Sequence, residues 1–119
     1  MSNPHRTAST RRIPTATDRE LLDQLDELVS SAVRGDRHAI GAIAIAFGPI
    51  LLQEVRKELG PLFENDGGDV LQDFFLAMTE EQLTFPAISG AGVPWMKRTA
   101  RAFARQHLLE RGRAGGEAG

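Results

Sequence analysis

The sequence predicts an all-α protein, a compact bundle of about four helices. Apolar residues recur at helical spacing in four segments, and no segment shows the alternation of apolar and polar residues that is typical of a strand. The length of 119 residues allows one domain with one modest core. We expect residues 1–18 to form a flexible basic arm, residues 19–113 the helical domain, and residues 114–119 a disordered tail.

The first helix is predicted to follow Thr17, because Thr17 and Glu20 have the spacing of a capping box. Apolar residues then recur at helical spacing over residues 21–33. Gly35 is a favourable stop for this helix, and Asp36 is a favourable cap for the next one.

The second helix is predicted over residues 37–60 and is apolar on most sides in its first half, which predicts a central, largely buried position. Pro49 lacks a backbone donor and disfavours helical geometry at Gly48, so we expect a kink or a short break there. Gly60 and Pro61 end this helix.

The third helix, predicted over residues 67–78 or as far as Gln82, is amphipathic but carries one leucine on its polar side. Its apolar side, at 100° per residue, consists of four bulky residues: Leu71, Phe74, Phe75 and Met78. Its polar side consists of Asp69, Gln72, Asp73 and, unexpectedly, Leu76. Either Leu76 is a stray exposed residue or this acidic face contacts another protein.

The last helix is predicted over residues 94–113, with Pro94 in its first turn. Its basic side carries four residues in and beside one stripe: Lys97, Arg98, Arg101 and Arg105. Guanidinium groups suit phosphate oxygens and exposed bases, although a merely solvated basic face has the same pattern. Trp95 either anchors this helix to the core or offers a surface on which a base can stack.

The net charge of −2 conceals an uneven distribution along the chain. Residues 1–19 carry four arginines against one aspartate, and residues 92–119 carry six bases against two acids. Residues 20–91 carry thirteen acids against four bases. This division predicts an acidic body with a basic C-terminal helix, which could face an anion while the body faces something else. The alternative is charge that only solvates the surface.

Several classes of function find no support in the sequence. There is no cysteine, and there is no HExxH motif, glycine-rich phosphate loop or nucleophile elbow. His107 projects onto the apolar side of the last helix, where a core-edge role is expected. We therefore expect no enzyme, no cofactor and no metal. Because there is no secretory signal and no apolar run near the length of a membrane span, we expect a soluble cytoplasmic protein without a membrane partner.

Three motifs together resemble region 2 of the sigma-70 family of bacterial sigma factors, especially the small extracytoplasmic-function group. The first is "AVRGDRHAIGAIAIAFGPILLQEVRKELG", with a small-Gly-Asp turn and a long helix containing proline. The second is "DVLQDFFLAM", which matches the group at residues 69–76. The third, "PWMKRTARAFARQHLLERGR", matches at Trp95, Arg98, Ala100, Arg101, Ala104, His107, Leu108 and Arg111. The resemblance covers about residues 25–113.

The resemblance implies two partners. In such proteins the helix that matches residues 69–79 docks on the clamp helices of the largest RNA polymerase subunit, so Asp69, Gln72, Asp73 and Leu76 become polymerase-binding candidates. The last helix binds promoter −10 DNA and helps to hold the melted strand. The DNA-binding candidates are therefore Lys97, Arg98, Arg101, Arg105 and Trp95. An anti-sigma-type regulator is a further partner that the resemblance implies.

The sequence departs from the family pattern at three places. Ala102 and Gln106 stand where the small sigma factors commonly have Asn and Asp, and Glu80-Glu81 stand where the family tends to be aromatic and basic. The family's second module, which reads the −35 element, has no counterpart in these residues. We therefore expect either a factor that works alone or a second chain that supplies −35 recognition. The alternative is a sigma-like interaction module that binds polymerase or another regulatory protein without sequence-specific DNA binding.

Overall fold

The computed structural model describes residues 15–86 and 88–118, and these form four α-helices without a strand. The helices are α1 (Thr15–Val33), α2 (Arg37–Leu59), α3 (Gly67–Thr79) and α4 (Gly92–Ala118), and a short 3-10 helix, Glu64–Asp66, precedes α3. Each helix contacts the other three. The predicted all-α class is confirmed.

The turn between α1 and α2 has the predicted chemistry. Gly35 adopts a positive φ of 87°, which a residue with a Cβ rarely adopts. Asp36 Oδ1 then accepts hydrogen bonds from the backbone N–H groups of His38, at 3.0 Å, and Ala39, at 3.2 Å. The predicted start of α1 was wrong, because the helix already begins at Thr15 and Thr17 lies inside it.

The helix α2 runs without a break through Pro49, which lies on its exposed side, so the predicted short break does not occur. It is also less buried than predicted, since the side chain of Ile45 is 84% exposed and Ala42 and Ala46 are exposed as well. By length and composition α2 could cross a membrane, but the side of α2 opposite Ile45 forms the middle of the core.

The core consists of residues from all four helices. The fully buried side chains with the largest volumes are Phe74, Ile43, Leu51, Met78, Met96, Val29, Val55 and Val70. Phe74 and Met78 confirm the predicted apolar side of α3, and Leu71 and Phe75 pack against the core while partly buried. Burial of side chains of this size stabilises the fold by about 1.5–3 kcal/mol each.

The helix α4 is held at its start by a carboxylate from α1. Asp26 accepts hydrogen bonds from the backbone N–H groups of Gly90, at 2.6 Å, and Gly92, at 2.9 Å. Gly92 is needed at this approach, because a Cβ there would lie 2.9 Å from Asp26 Oδ1. As a result α4 begins two residues before the predicted Pro94.

The predicted termini of the domain were partly wrong. Residues 1–14 lie outside the described residues, but residues 15–18, predicted to belong to the arm, form the first turn of α1. Residues 114–118, predicted as a disordered tail, continue α4 as helix. Once a helix has formed, each further residue adds a backbone hydrogen bond without a new nucleation step, so the end of a long helix readily extends.

Candidate protein-docking and nucleic-acid-binding surfaces

The acidic ridge of α3, which we define as Asp69, Gln72, Asp73 and Leu76, faces solvent along its whole length. These residues follow the i, i+3, i+4, i+7 spacing that places side chains in one row of about 10 Å. The side chain of Leu76 is 47% exposed, although Phe74 two residues earlier is completely buried. The structure therefore brings the four predicted docking residues together on one free helix face.

A groove between α3 and α4 continues the acidic ridge. It has a volume of about 330 Å³, and its apolar floor includes Leu76, Ala77 and Phe103. Three carboxylates line it, those of Asp73, Glu80 and Glu110. None of the three forms an ion pair within the described part of the chain. The ridge and the groove thus form one acidic surface with an apolar centre.

The basic stripe of α4 is partly neutralised by α2. Arg101 Nη1 lies 2.9 Å from Glu54 Oε1, and Arg105 Nη1 lies 3.5 Å from Glu58 Oε2. Arg101 and Arg105 are one helical turn apart, and so are Glu54 and Glu58. Two parallel rows of side chains therefore face each other. We call these two ion pairs the α2–α4 ladder. The sequence predicted the arginine row but not the acidic row that faces it.

The first turns of α4 carry the cations that remain available. Arg98 is exposed and Lys97 is partly exposed. The described residues provide no carboxylate within ion-pair distance of either side chain. The predicted DNA-binding residues therefore separate into two groups: Lys97 and Arg98 are open to an anion, whereas Arg101 and Arg105 already contact carboxylates.

Trp95 is in the core, so of its two predicted roles the structure favours the anchor. Its side chain is 7% exposed, and its ring centroid lies 5.5 Å from that of Phe85 and 6.5 Å from that of Phe74. No face of the indole is open for a base to stack on it, so the predicted DNA contact by Trp95 is not available in this arrangement. The reason is that the aromatic side chain of the 80–91 connection folds over it, which sequence spacing did not indicate.

A second cluster on α4 was missed by sequence reasoning. His107 Nε2 lies 2.9 Å from Asp66 Oδ2, and Arg111 Nε lies 3.5 Å from the same oxygen. The hydrogen bond with His107 is the main cause that lowers the pKa of Asp66. Desolvation raises this pKa by less, and the positive charge of Arg111 makes a still smaller contribution that lowers it. Arg111 also lies over the ring of Phe63, at 5.2 Å.

This cluster joins the start of α3 to the last turns of α4. The one-turn spacing of His107 and Arg111 indicated a shared helix face, but nothing in the sequence pointed to Asp66, which lies 41 residues earlier. His107 is thus a core-edge residue, as predicted, with a carboxylate partner that only the folded chain provides. Within the described residues, no three His, Asp or Glu side chains are grouped as a metal ion requires.

The two surfaces therefore lie on neighbouring helices and differ in charge. The ridge and groove on α3 are acidic, whereas the first turns of α4 are basic. Comparison with known proteins adds no relative to this description: no protein-family model, curated protein or solved structure matches the chain.

Proposed function

We propose that this chain is a sigma-region-2-like transcription-initiation protein of the cytoplasm. The acidic ridge docks on the clamp helices of the largest RNA polymerase subunit, and the first turns of α4 contact promoter −10 DNA. The chain acts alone or with a partner chain that supplies −35 recognition. The observation that carries the proposal is the half-exposed Leu76 at the end of a row of acidic and polar side chains on α3.

The composition of the ridge suits a basic, partly apolar helix as its partner. Leu76 supplies apolar area that becomes buried on association, and Asp69 and Asp73 supply the charge that orients the partner and speeds encounter. Substitution of a residue that anchors an interface typically reduces the binding free energy by about 2 kcal/mol or more, which corresponds to roughly thirtyfold weaker affinity.

Docking is tested by measuring the affinity of the fluorescently labelled chain for purified core polymerase. We expect Leu76→Asp and Asp73→Arg each to weaken binding by roughly thirtyfold. The matched control is Leu62→Asp, because Leu62 is 82% exposed but lies outside the ridge, in the turn after α2. Full binding by both ridge variants, or an equal loss with Leu62→Asp, refutes docking through this surface.

The DNA contact is tested at the free cations of α4. In a reconstituted polymerase, Arg98→Ala is expected to reduce promoter opening and crosslinking of the α4 surface to DNA. Arg98→Ala should also reduce the slope of log affinity for DNA against log salt concentration by roughly one, as expected for one lost phosphate contact. The control is Arg34→Ala, at an exposed arginine in the turn between α1 and α2. If both variants behave like the parent chain, the DNA contact is refuted.

A second candidate function is an interaction module that docks on polymerase or another regulatory protein without binding DNA. The α2–α4 ladder and the burial of Trp95 favour this candidate, since Arg101 and Arg105 already contact carboxylates and Trp95 is buried. In a protein of this kind, Leu76→Asp still weakens binding to polymerase. Its binding to polymerase–promoter complexes does not change with Arg98→Ala.

A further inference from the structure

The α2–α4 ladder continues the basic stripe of α4 beyond Lys97 and Arg98, the cations that the proposed function assigns to DNA. Glu54 and Arg101 form its closer ion pair, with side chains that are 19% and 33% exposed. Glu58 and Arg105 form its looser ion pair, with side chains that are 29% and 56% exposed. All four side chains keep some contact with solvent, so a phosphate group can reach the arginines without unfolding the helices.

The acidic row changes what these arginines offer to a phosphate. At Arg101 one N–H donor of the guanidinium is used by the Glu54 carboxylate at 2.9 Å. The helix α2 packs in the core of the bundle, so the two carboxylates that it carries remain near the arginines when an anion approaches. The two carboxylates then repel the phosphate over a distance of a few ångströms. An arriving phosphate must therefore share each guanidinium with a negative charge that is already bound.

The size of this effect follows from elementary electrostatics. Two like charges about 6 Å apart in water-like surroundings repel each other enough to lower an affinity by roughly threefold. Two carboxylates together should lower it by roughly tenfold. Partly exposed ion pairs of this kind are individually weak, so they attenuate binding rather than prevent it.

We propose that Glu54 and Glu58 are a built-in attenuator of nucleic-acid binding, which restricts strong phosphate contact to the first turns of α4 around Lys97 and Arg98. This inference rests on the proposed DNA contact. It adds a regulatory role for two residues of α2, a helix that does not itself supply the proposed DNA-contacting side chains.

The test compares the parent chain with the double variant Glu54→Gln/Glu58→Gln. Glutamine has nearly the same shape as glutamate and still accepts a hydrogen bond from arginine, so the contact between α2 and α4 is kept. Fluorescence anisotropy measures binding to a short mixed-sequence duplex and to the same duplex with an unpaired central bubble. We expect the variant to bind roughly tenfold more tightly. The slope of its log affinity against log salt concentration should be steeper by about one to two between roughly 50 and 200 mM salt.

Two further variants separate the attenuator from a general effect of net charge. Glu20→Gln/Glu27→Gln makes the same charge change at exposed positions of α1 that form no ion pair within the described residues. It should leave affinity within about twofold of the parent chain. Adding Arg101→Gln/Arg105→Gln to the glutamate variant should abolish the gain. A gain of equal size in the α1 variant, or a gain that survives loss of the arginines, overturns the attenuator.

The remaining outcomes distinguish this inference from the proposed function. If parent chain and Glu54→Gln/Glu58→Gln bind DNA with equal affinity and Arg98→Ala weakens both, the attenuator is overturned while the DNA contact stands. If neither binds either probe at low salt, the DNA contact itself is overturned, and the inference is overturned with it. Thermal unfolding followed by circular dichroism verifies that each variant is folded.

Discussion

Removal of the Asp26 carboxylate should be among the most damaging changes at a side chain that is not part of the apolar core. Its two oxygens accept hydrogen bonds from Gly90, at 2.6 Å, and Gly92, at 2.9 Å. Gly90 and Gly92 lie 64 and 66 positions after Asp26 in the chain. The two bonds therefore attach the connection after α3 and the start of α4 to α1. Asp26→Ala leaves both N–H groups without this acceptor, and Gly92 is buried where water reaches it poorly.

The magnitude follows from the kind of bond. A hydrogen bond to a charged group contributes about 1.5–3 kcal/mol, and the lower figure applies because Asp26 is only partly buried. Two such bonds give a loss of about 3 kcal/mol in the free energy of unfolding. For a domain of this size that corresponds to a fall in Tm of roughly 15 °C. Asp26→Asn should lose about half as much, because an amide offers one acceptor oxygen and turns its NH₂ group toward the second donor.

The assay is urea unfolding followed by circular dichroism, with Asp23→Ala as the control. Asp23 lies on the same helix but is exposed, and its replacement should change the free energy of unfolding by less than about 0.5 kcal/mol. If Asp26→Ala costs no more than Asp23→Ala, the carboxylate does not hold α4.

Two further predictions test other contacts of the fold. Because the hydrogen bond with His107 lowers the pKa of Asp66 from 3.8, the stability that Asp66 contributes should be fully present above about pH 4 and be lost as the pH falls through its folded-state pKa. The difference in urea midpoint between parent chain and Asp66→Asn should therefore shrink as the pH falls from about 5 toward 3; a difference that grows over this range contradicts this assignment. Gly41→Ala, where an added Cβ meets nothing within 4 Å, should stabilise α2 by about 0.5–1 kcal/mol. Gly92→Ala should destabilise, because its Cβ would lie 2.9 Å from Oδ1 of a carboxylate that two hydrogen bonds hold in place. Thermal unfolding should therefore show a higher Tm for Gly41→Ala and a lower Tm for Gly92→Ala, and stabilisation by both refutes this reasoning.

The exposed side of α2 shows why apolar composition alone misled the prediction of burial. Ile45 and Ile50 lie in the most apolar segment of the chain, yet they are 84% and 42% exposed. A helix that is apolar all round gives no periodic signal to indicate which side the core covers. The other helices of the bundle cover only one side of α2, and the arrangement of those helices is not encoded in the spacing of residues within α2.

Elements with local causes could be predicted from the sequence. Helical periodicity, the Gly35–Asp36 turn and the separation of Leu76 from the buried side of α3 depend on residues a few positions apart, so all of them were predictable. The pairing of charges, in contrast, depends on how the helices pack. Glu54 and Arg101 are 47 residues apart, Asp66 and His107 are 41 apart, and Asp26 lies 64 positions before Gly90. Each of these pairs forms because packing of the apolar core brings distant helix faces together, and a charge pattern read along one helix cannot reveal its partner on another.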